Sequence, residues 1–248
     1  MRDAGLQTVP VPVDDHGIRT ADLPDAVAAL VTPAHQFPLG VVLAPERRRE
    51  LVAWAREGDR LVLEDDYDAE LRYDRQPVGA LRGLDPERVV LMGSVSKLLS
   101  PALRLGWVVA PPELRAALVD AKRRADLGCS VPEQAAFARL VTTGAYARHL
   151  RRTRLVYKHR RQVLLAALSR AVPHLRVEGV AAGLHLVVRL PDGDVEARAV
   201  AGLRRCGVPA DPLSAASEGA ASWGAVVGVA RVQGAAVGDV VEVLRRSR

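Results

Sequence analysis

The strongest constraint in this sequence is a repeated unit in which a short apolar run ends abruptly in a polar turn. The clearest instance is Arg88-Val89-Val90-Leu91-Met92, which runs into Gly93-Ser94-Val95-Ser96-Lys97-Leu98-Leu99-Ser100-Pro101-Ala102-Leu103-Arg104-Leu105-Gly106-Trp107. A second run, Leu103 to Val109, leaves the turn. Lys97 is therefore expected at a strand end, in a small-residue turn walled by buried structure. Desolvation there disfavours an ammonium ion, and a partly neutral amine is what imine formation with a carbonyl requires. Ser94, Ser96 and Arg104 are spaced to converge on one anion.

Two other readings compete for Lys97. One is a surface lysine beside a serine turn. The other is a Ser94-x-x-Lys97 nucleophile motif of the kind used by penicillin-recognising enzymes. That motif also needs Ser-Asp-Asn and Lys-Thr-Gly, and neither tripeptide occurs in the chain.

A second anchor lies upstream in Arg60-Leu61-Val62-Leu63-Glu64-Asp65-Asp66-Tyr67-Asp68-Ala69-Glu70-Leu71. Again a short apolar strand enters a polar turn, here acidic with an embedded tyrosine. A carboxylate at a strand's C-terminal end lies where open α/β sheets bind ligands. Strand alternation gives Asp65 and Tyr67 one side and Asp66 the other. Combined with Lys97, the acid points to pyridoxal phosphate, with a lysine for the Schiff base and a carboxylate for the protonated pyridine nitrogen. Taken alone, the stretch reads as a solvated acidic turn. A calcium loop fits poorly, because the sixth position from Asp66 is Leu71 where glycine is needed.

Thr32-Pro33-Ala34-His35-Gln36-Phe37-Pro38-Leu39-Gly40, Glu64-Asp65-Asp66-Tyr67-Asp68, and Ser94-Val95-Ser96-Lys97 with Pro101 and Arg104-Leu105-Gly106-Trp107 follow one another in that order. Together they resemble the aminotransferase class I/II family, fold type I of the pyridoxal-phosphate enzymes. Their spelling is closest to the aminotransferase-like domain of MocR-type regulators of the GntR superfamily. The resemblance implies an α/β fold with an incomplete, mainly parallel sheet over residues 1–145. A long connecting helix and a small C-terminal α+β domain would then occupy 146–248. It implies pyridoxal 5'-phosphate as cofactor, Lys97 as its Schiff-base lysine, and Asp65 as partner of the pyridine nitrogen. Tyr67 would bond the phenolic oxygen, and Ser94, Ser96 and Arg104 would hold the phosphate. His35 and Gln36 occupy the place of an asparagine near the phenolic oxygen, and either could reach the cofactor.

The resemblance also carries departures. Relatives bear, upstream of the matched segment, a phosphate-binding loop and an aromatic that stacks on the ring; the likeness begins after both. It also begins after the winged-helix DNA-binding domain of MocR-type regulators. The large-domain sheet is then expected to keep four contiguous strands, ending near Val31, Asp65, Met92 and Ala110. Both edges would be unpaired, and Leu103–Val109 would be one of them. Val226 stands where aminotransferases place the arginine that binds a substrate carboxylate, and strand alternation turns Arg231 elsewhere. Three functions remain open: a transaminase acting on an amino acid or keto acid, a sensing domain that binds the cofactor without turnover, or a fragment without ligand. A homodimer is expected if the missing segment is supplied.

The net charge of +6 raises the question of nucleic acid. Its basic residues concentrate between Arg148 and Arg161, interleaved with Leu150, Leu155, Val156 and Tyr157, which reads as the solvated face of a helix. Cys129 and Cys206 are far apart and read as reduced thiols, and no His-x-x-x-His pair occurs. Met1 to Asp15 has no apolar leader core and no run reaches membrane-spanning length, so cytoplasm is expected.

Along the chain, Leu6 to Val13 reads as a proline-bearing edge strand and Leu23 to Leu30 as a short helix. Further helices are expected at Ala44 to Glu57, Pro112 to Asp126, Pro132 to Thr143, Tyr146 to Ala171, Glu196 to Arg205 and Val237 to Arg246. Leu175 to Val180, Leu184 to Leu190 and Ala225 to Val229 read as strands. With no DNA-recognition motif, direct DNA binding is not expected. Any retention on duplex DNA should fall steeply between low and physiological salt. Sequence-specific retention at physiological salt in a filter-binding assay would refute this.

Overall fold

The computed structural model describes residues 5–73, 78–217 and 222–247. Residues 1–4, part of the stretch read for a leader, lie outside them. The chain forms two compact units: Met1–Gln36, Val41–Ala69 and Pro77–Leu150 make the first, and Phe37–Gly40, Glu70–Gln76 and Arg151–Arg248 the second.

The first unit opens with a small antiparallel hairpin, β1 (Val13–Asp14) and β2 (Gly17–Ile18). It continues with β3 (Ala28–Val31), α1 (Pro45–Glu57), β4 (Leu61–Asp66), β5 (Val89–Ser94), β6 (Gly106–Val109), α2 (Pro112–Asp126) and α3 (Val131–Thr142). The sheet order is β3-β4-β5-β6, with the first three strands parallel and β6 antiparallel to β5. Pro45 opens α1 because its fixed φ and missing N–H suit a first helical turn. Leu51, Val52 and Ala55 then recur on one face and pack with Ala29, Val31, Leu43, Val62, Leu81 and Val89. Burying a side chain such as Leu51 contributes about 2 kcal/mol before entropy is counted.

Glu64 shares the inward face of β4 with Val62 and is itself buried. Its two oxygens accept the backbone N–H groups of Leu81 and Arg82 at 2.8 and 3.0 Å. A buried carboxylate is tolerated only when satisfied in this way. At the other side of the sheet β6 is exposed along all four residues, and neither α2 nor α3 buries any residue.

The second unit takes most of α4 (Ala145–Ala171), then β7 (Val177–Glu178), β8 (His185–Arg189), α5 (Gly193–Arg205), β9 (Ala210–Pro212), β10 (Gly224–Gly228) and α6 (Ala235–Arg245). Its sheet is antiparallel throughout, in the order β7-β8-β10-β9. Asp192 caps α5 by accepting the N–H of Val195 at 2.8 Å. Leu164 and Leu168 of α4 pack with Leu186, Leu203, Val227, Val240 and Leu244 to form its core.

Several expectations are corrected. Leu6 to Val13 is not a strand; Pro10 and Pro12 lack the N–H groups a ladder needs, and only Val13–Asp14 pairs. Leu23 to Leu30 is not a helix. Ala28–Val31 instead pairs with Leu61–Glu64, tertiary pairing overriding local propensity. The strand expected from Leu103 begins at Gly106, because Pro101–Leu103 winds as a 3-10 turn and Arg104 adopts a left-handed conformation. The strand from Leu175 shrinks to Val177–Glu178, and β9 was not foreseen. The basic stretch of α4 is less solvated than its charge implies. Arg154 bonds the carbonyl of Glu70, Lys158 that of Tyr73, and Arg160 that of Ala230. Arg161 is buried on the carbonyls of Gly179 and Val180 at 2.9 and 2.8 Å.

Glu196, on α5, is the second unit's buried carboxylate, accepting the N–H groups of Ser214 at 3.1 Å and Gly224 at 2.8 Å and the Ser214 hydroxyl. Glu196→Ala strands those donors, and the chain should lose about 3 kcal/mol. A urea titration followed by circular dichroism checks this, and a loss below about 1 kcal/mol would refute it.

Candidate functional site

The three parallel strands of the first unit end at one edge of the sheet. Val31 lies level with Glu64, and Asp65 with Met92, so the segments after β3, β4 and β5 all leave from that edge. These segments carry His35, Tyr67 and Asp68, and Ser94, Ser96 and Lys97. Open α/β sheets place their ligands at this edge because the strand ends leave a crevice and free backbone groups there.

Side-chain alternation orients the acidic turn. Glu64 points inward, so Asp65 projects from the opposite face of β4. Asp65 is half-buried, and its side chain makes no hydrogen bond or ion pair among the described residues. Desolvation pushes its carboxyl above the ordinary carboxylate value, and the charge of Asp68 adds to the rise. Asp66 turns the chain instead, accepting the N–H of Ala69 at 3.1 Å.

Tyr67 and His35 are brought into contact. The Tyr67 hydroxyl donates to the carbonyl of His35 at 2.9 Å and lies 3.2 Å from its Nδ1. Burial raises the phenol's pKa, and the charges of Asp68, Asp65 and Asp66 raise it further, so Tyr67 remains a hydrogen-bond donor. His35 and Asp68 are each only 2% exposed, with Nδ1 and Oδ2 2.9 Å apart. Gln36 behaves differently: it is half-buried, and its backbone N–H bonds the carbonyl of Val41 at 2.8 Å.

Around Lys97, Ser94 Oγ and Ser96 Oγ are 2.9 Å apart, and Ser94 Oγ also accepts the N–H of Ser96 at 3.1 Å. Gly93 is required by its neighbour, since a Cβ there would meet the Trp107 indole at 2.4 Å. Trp107 stacks on Phe137 with ring centroids 6.4 Å apart, which anchors the far side of the turn to α3. Lys97 itself is exposed, contrary to the expectation that it loses water. The serine turn ends in open surface, and none of the described residues covers the amine. Arg104 is also exposed, and its side chain makes no hydrogen bond or ion pair to Ser94 or Ser96.

In the second unit, Val226 is buried with Val187 and Leu213, while Arg231 is exposed. Asp68 was not singled out by the sequence. Its only signal is that it follows Tyr67 in the acidic turn, and its partner lies 33 residues upstream.

Residues 1–217 match the family model for aminotransferase class I and II. The chain is 40% identical over 188 residues to an HTH-type pyridoxine biosynthesis transcriptional regulator, PdxR, from Corynebacterium glutamicum; the match covers 74% of this chain and 41% of that protein. It is 37% identical over 190 residues to a probable rhizopine catabolism regulatory protein, MocR, from Rhizobium meliloti, covering 75% and 38%. Among solved structures it resembles Pyrococcus horikoshii kynurenine aminotransferase in complex with PMP and kynurenine. The TM-score is 0.85 at 27% identity, over 97% of this chain and 63% of that one. The chain thus spans about two fifths of the length of these regulators.

Asp65 gives a prediction with a definite sign. A carboxyl raised above its unfolded value binds more protons in the folded state, so stability falls as pH rises from the ordinary 3.8 through the raised value. Asp65→Asn removes that loss. The variant should be the more stable protein at neutral pH, and the advantage should vanish near pH 3 to 4, roughly the ordinary carboxylate range. Urea midpoints across pH check this; a pH-independent difference would refute it.

Proposed function

We propose a pyridoxal-phosphate function for this chain, which belongs to the aminotransferase class I and II family. The supporting observation is that the segments bearing Asp65, Tyr67 and Lys97 leave the same edge of the parallel strands while Asp65 keeps a half-buried carboxylate without a cation. A protonated ring nitrogen is the partner such an acid lacks, so the residues fit the cofactor. When bound, pyridoxal phosphate supplies an electron sink that weakens bonds to the carbon bearing an amino group.

The chain's own groups divide the work. Lys97 offers an uncommitted amine on the serine turn. Asp65 would hold the ring nitrogen, and Tyr67, kept protonated with its hydrogen on the His35 carbonyl, would stand beside the ring. Ser94, Ser96 and Arg104 supply two hydroxyls and a guanidinium for the phosphate. Of His35 and Gln36, His35 is committed to Asp68 and Tyr67, so it supports the phenol.

The reaction proposed is transfer of an amino group between an amino acid and a keto acid, in a cytoplasmic protein that works as a homodimer. One observation favours a second reading. Val226, packed in an apolar cluster, cannot fork onto a carboxylate as an arginine does. On that reading the domain senses the cofactor or an amino acid without turnover, as part of a regulator.

Borohydride reduction after adding pyridoxal phosphate, followed by peptide mapping, tests the site. Label is expected on Lys97 alone, with Lys122 and Lys158 clear and Lys97→Ala unlabelled. Even labelling of all lysines would overturn it. Adding an amino acid separates the readings: stoichiometric keto acid marks the enzyme, and a spectral shift without keto acid marks the sensor.

A further inference from the structure

His35 and Asp68 form a buried pair beside Tyr67. Both are 2% exposed, and their contact is screened from water, which strengthens a hydrogen bond to a carboxylate. Nδ1 of His35 lies 2.9 Å from Asp68 Oδ2 and 3.2 Å from the Tyr67 oxygen. One ring nitrogen carries one hydrogen at most. A carboxylate can only accept, so that hydrogen points at Asp68. Nδ1 is then unable to accept from Tyr67, whose own hydrogen goes to the His35 carbonyl at 2.9 Å. The order of dependence therefore runs from Asp68 to the imidazole and from the imidazole to the phenol.

Resting on the cofactor reading above, we propose that Asp68 is a positioning residue. It holds His35 in the Nδ1–H tautomer and thereby fixes where the Tyr67 hydroxyl sends its hydrogen and its lone pairs. Without the carboxylate, the imidazole can move its hydrogen to Nε2. Nδ1 then becomes an acceptor 3.2 Å from Tyr67, and the hydroxyl swings from the carbonyl to the ring. The lone pairs that a bound ring would meet turn with it. Asp68 thus acts before any ligand arrives.

Long-range 1H–15N spectra of the imidazoles in the ligand-free chain read this out. The wild type should show His35 as the Nδ1–H tautomer, Asp68→Asn should lose that preference, and Tyr67→Phe should keep it. A wild-type Nε2–H tautomer overturns the proposal, as does an Asp68→Asn spectrum like the wild type. If Asp68→Asn does not fold, the wild type and Tyr67→Phe decide alone. Titration with pyridoxal phosphate, followed by absorbance, adds the link to the site. Asp68→Asn should weaken retention about ten-fold, the scale of one hydrogen bond to a charged group. An altered tautomer with unchanged retention overturns the positioning role. A wild type with the expected tautomer but no absorbance change overturns the cofactor reading and leaves the role of Asp68 toward Tyr67 standing.

Discussion

The burial of Glu64 is the interaction on which the arrangement of the first unit's edge depends. Its carboxylate is held by two backbone N–H groups from the segment Leu81–Arg82, and that fixes the phase of β4. A slip of one residue would carry Asp65 inward with no donors aimed at it and leave those N–H groups unpaired. Because Glu64 faces in, Asp65 faces out, and the chain leaves the strand with Tyr67 and Asp68 placed to meet His35. A structural carboxylate thus sets the aim of its neighbour.

Two kinds of charged residue stand apart from the ion pairs, such as Arg47–Asp14 and Arg56–Asp85. Glu64 and Glu196 are buried and tied to backbone N–H groups, and their burial is tolerable for that reason; Arg161 is buried with one guanidinium nitrogen on two backbone carbonyls. Asp65, Lys97 and Arg104 have no side-chain partner among the described residues. Folding alone gives no account of Asp65, a half-buried acid that its surroundings destabilise. The second kind coincides with the strand ends, where an open sheet presents its crevice. This coincidence is what ties the geometry of one edge to a chemical role.

Much of the architecture was legible where local and tertiary demands agree. Pro45 followed by Leu51, Val52 and Ala55 gives α1 its bounds, and the apolar runs before Asp65 and Gly93 are strands. The helix from Ala145 to Ala171 carries Leu164 on its buried side. Legibility failed where a distant partner decides. Ala28–Val31 becomes a strand because β4 lies beside it, and β9 exists through pairing with β10. The exposure of Lys97 was misread because apolar flanks report what lies along the chain and not what covers a turn. Asp68 escaped for a similar reason, since its meaning depends on a histidine that sequence distance hides.

Arg104 sits at φ +49°, in the left-handed region, where a side chain with a Cβ costs about 1 kcal/mol or more relative to glycine. It lies in the break between the 3-10 turn and β6, exposed to water, and its side chain has no hydrogen bond or ion pair among the described residues to recover that cost. If Arg104 holds the phosphate as proposed, stability and ligand retention pull this position in opposite directions. A library of variants sorted only for resistance to heat should drift toward glycine or asparagine at 104. The same library sorted for capture of a phosphorylated ligand should hold on to the guanidinium. The conformation of one residue thus separates what the scaffold prefers from what its use demands.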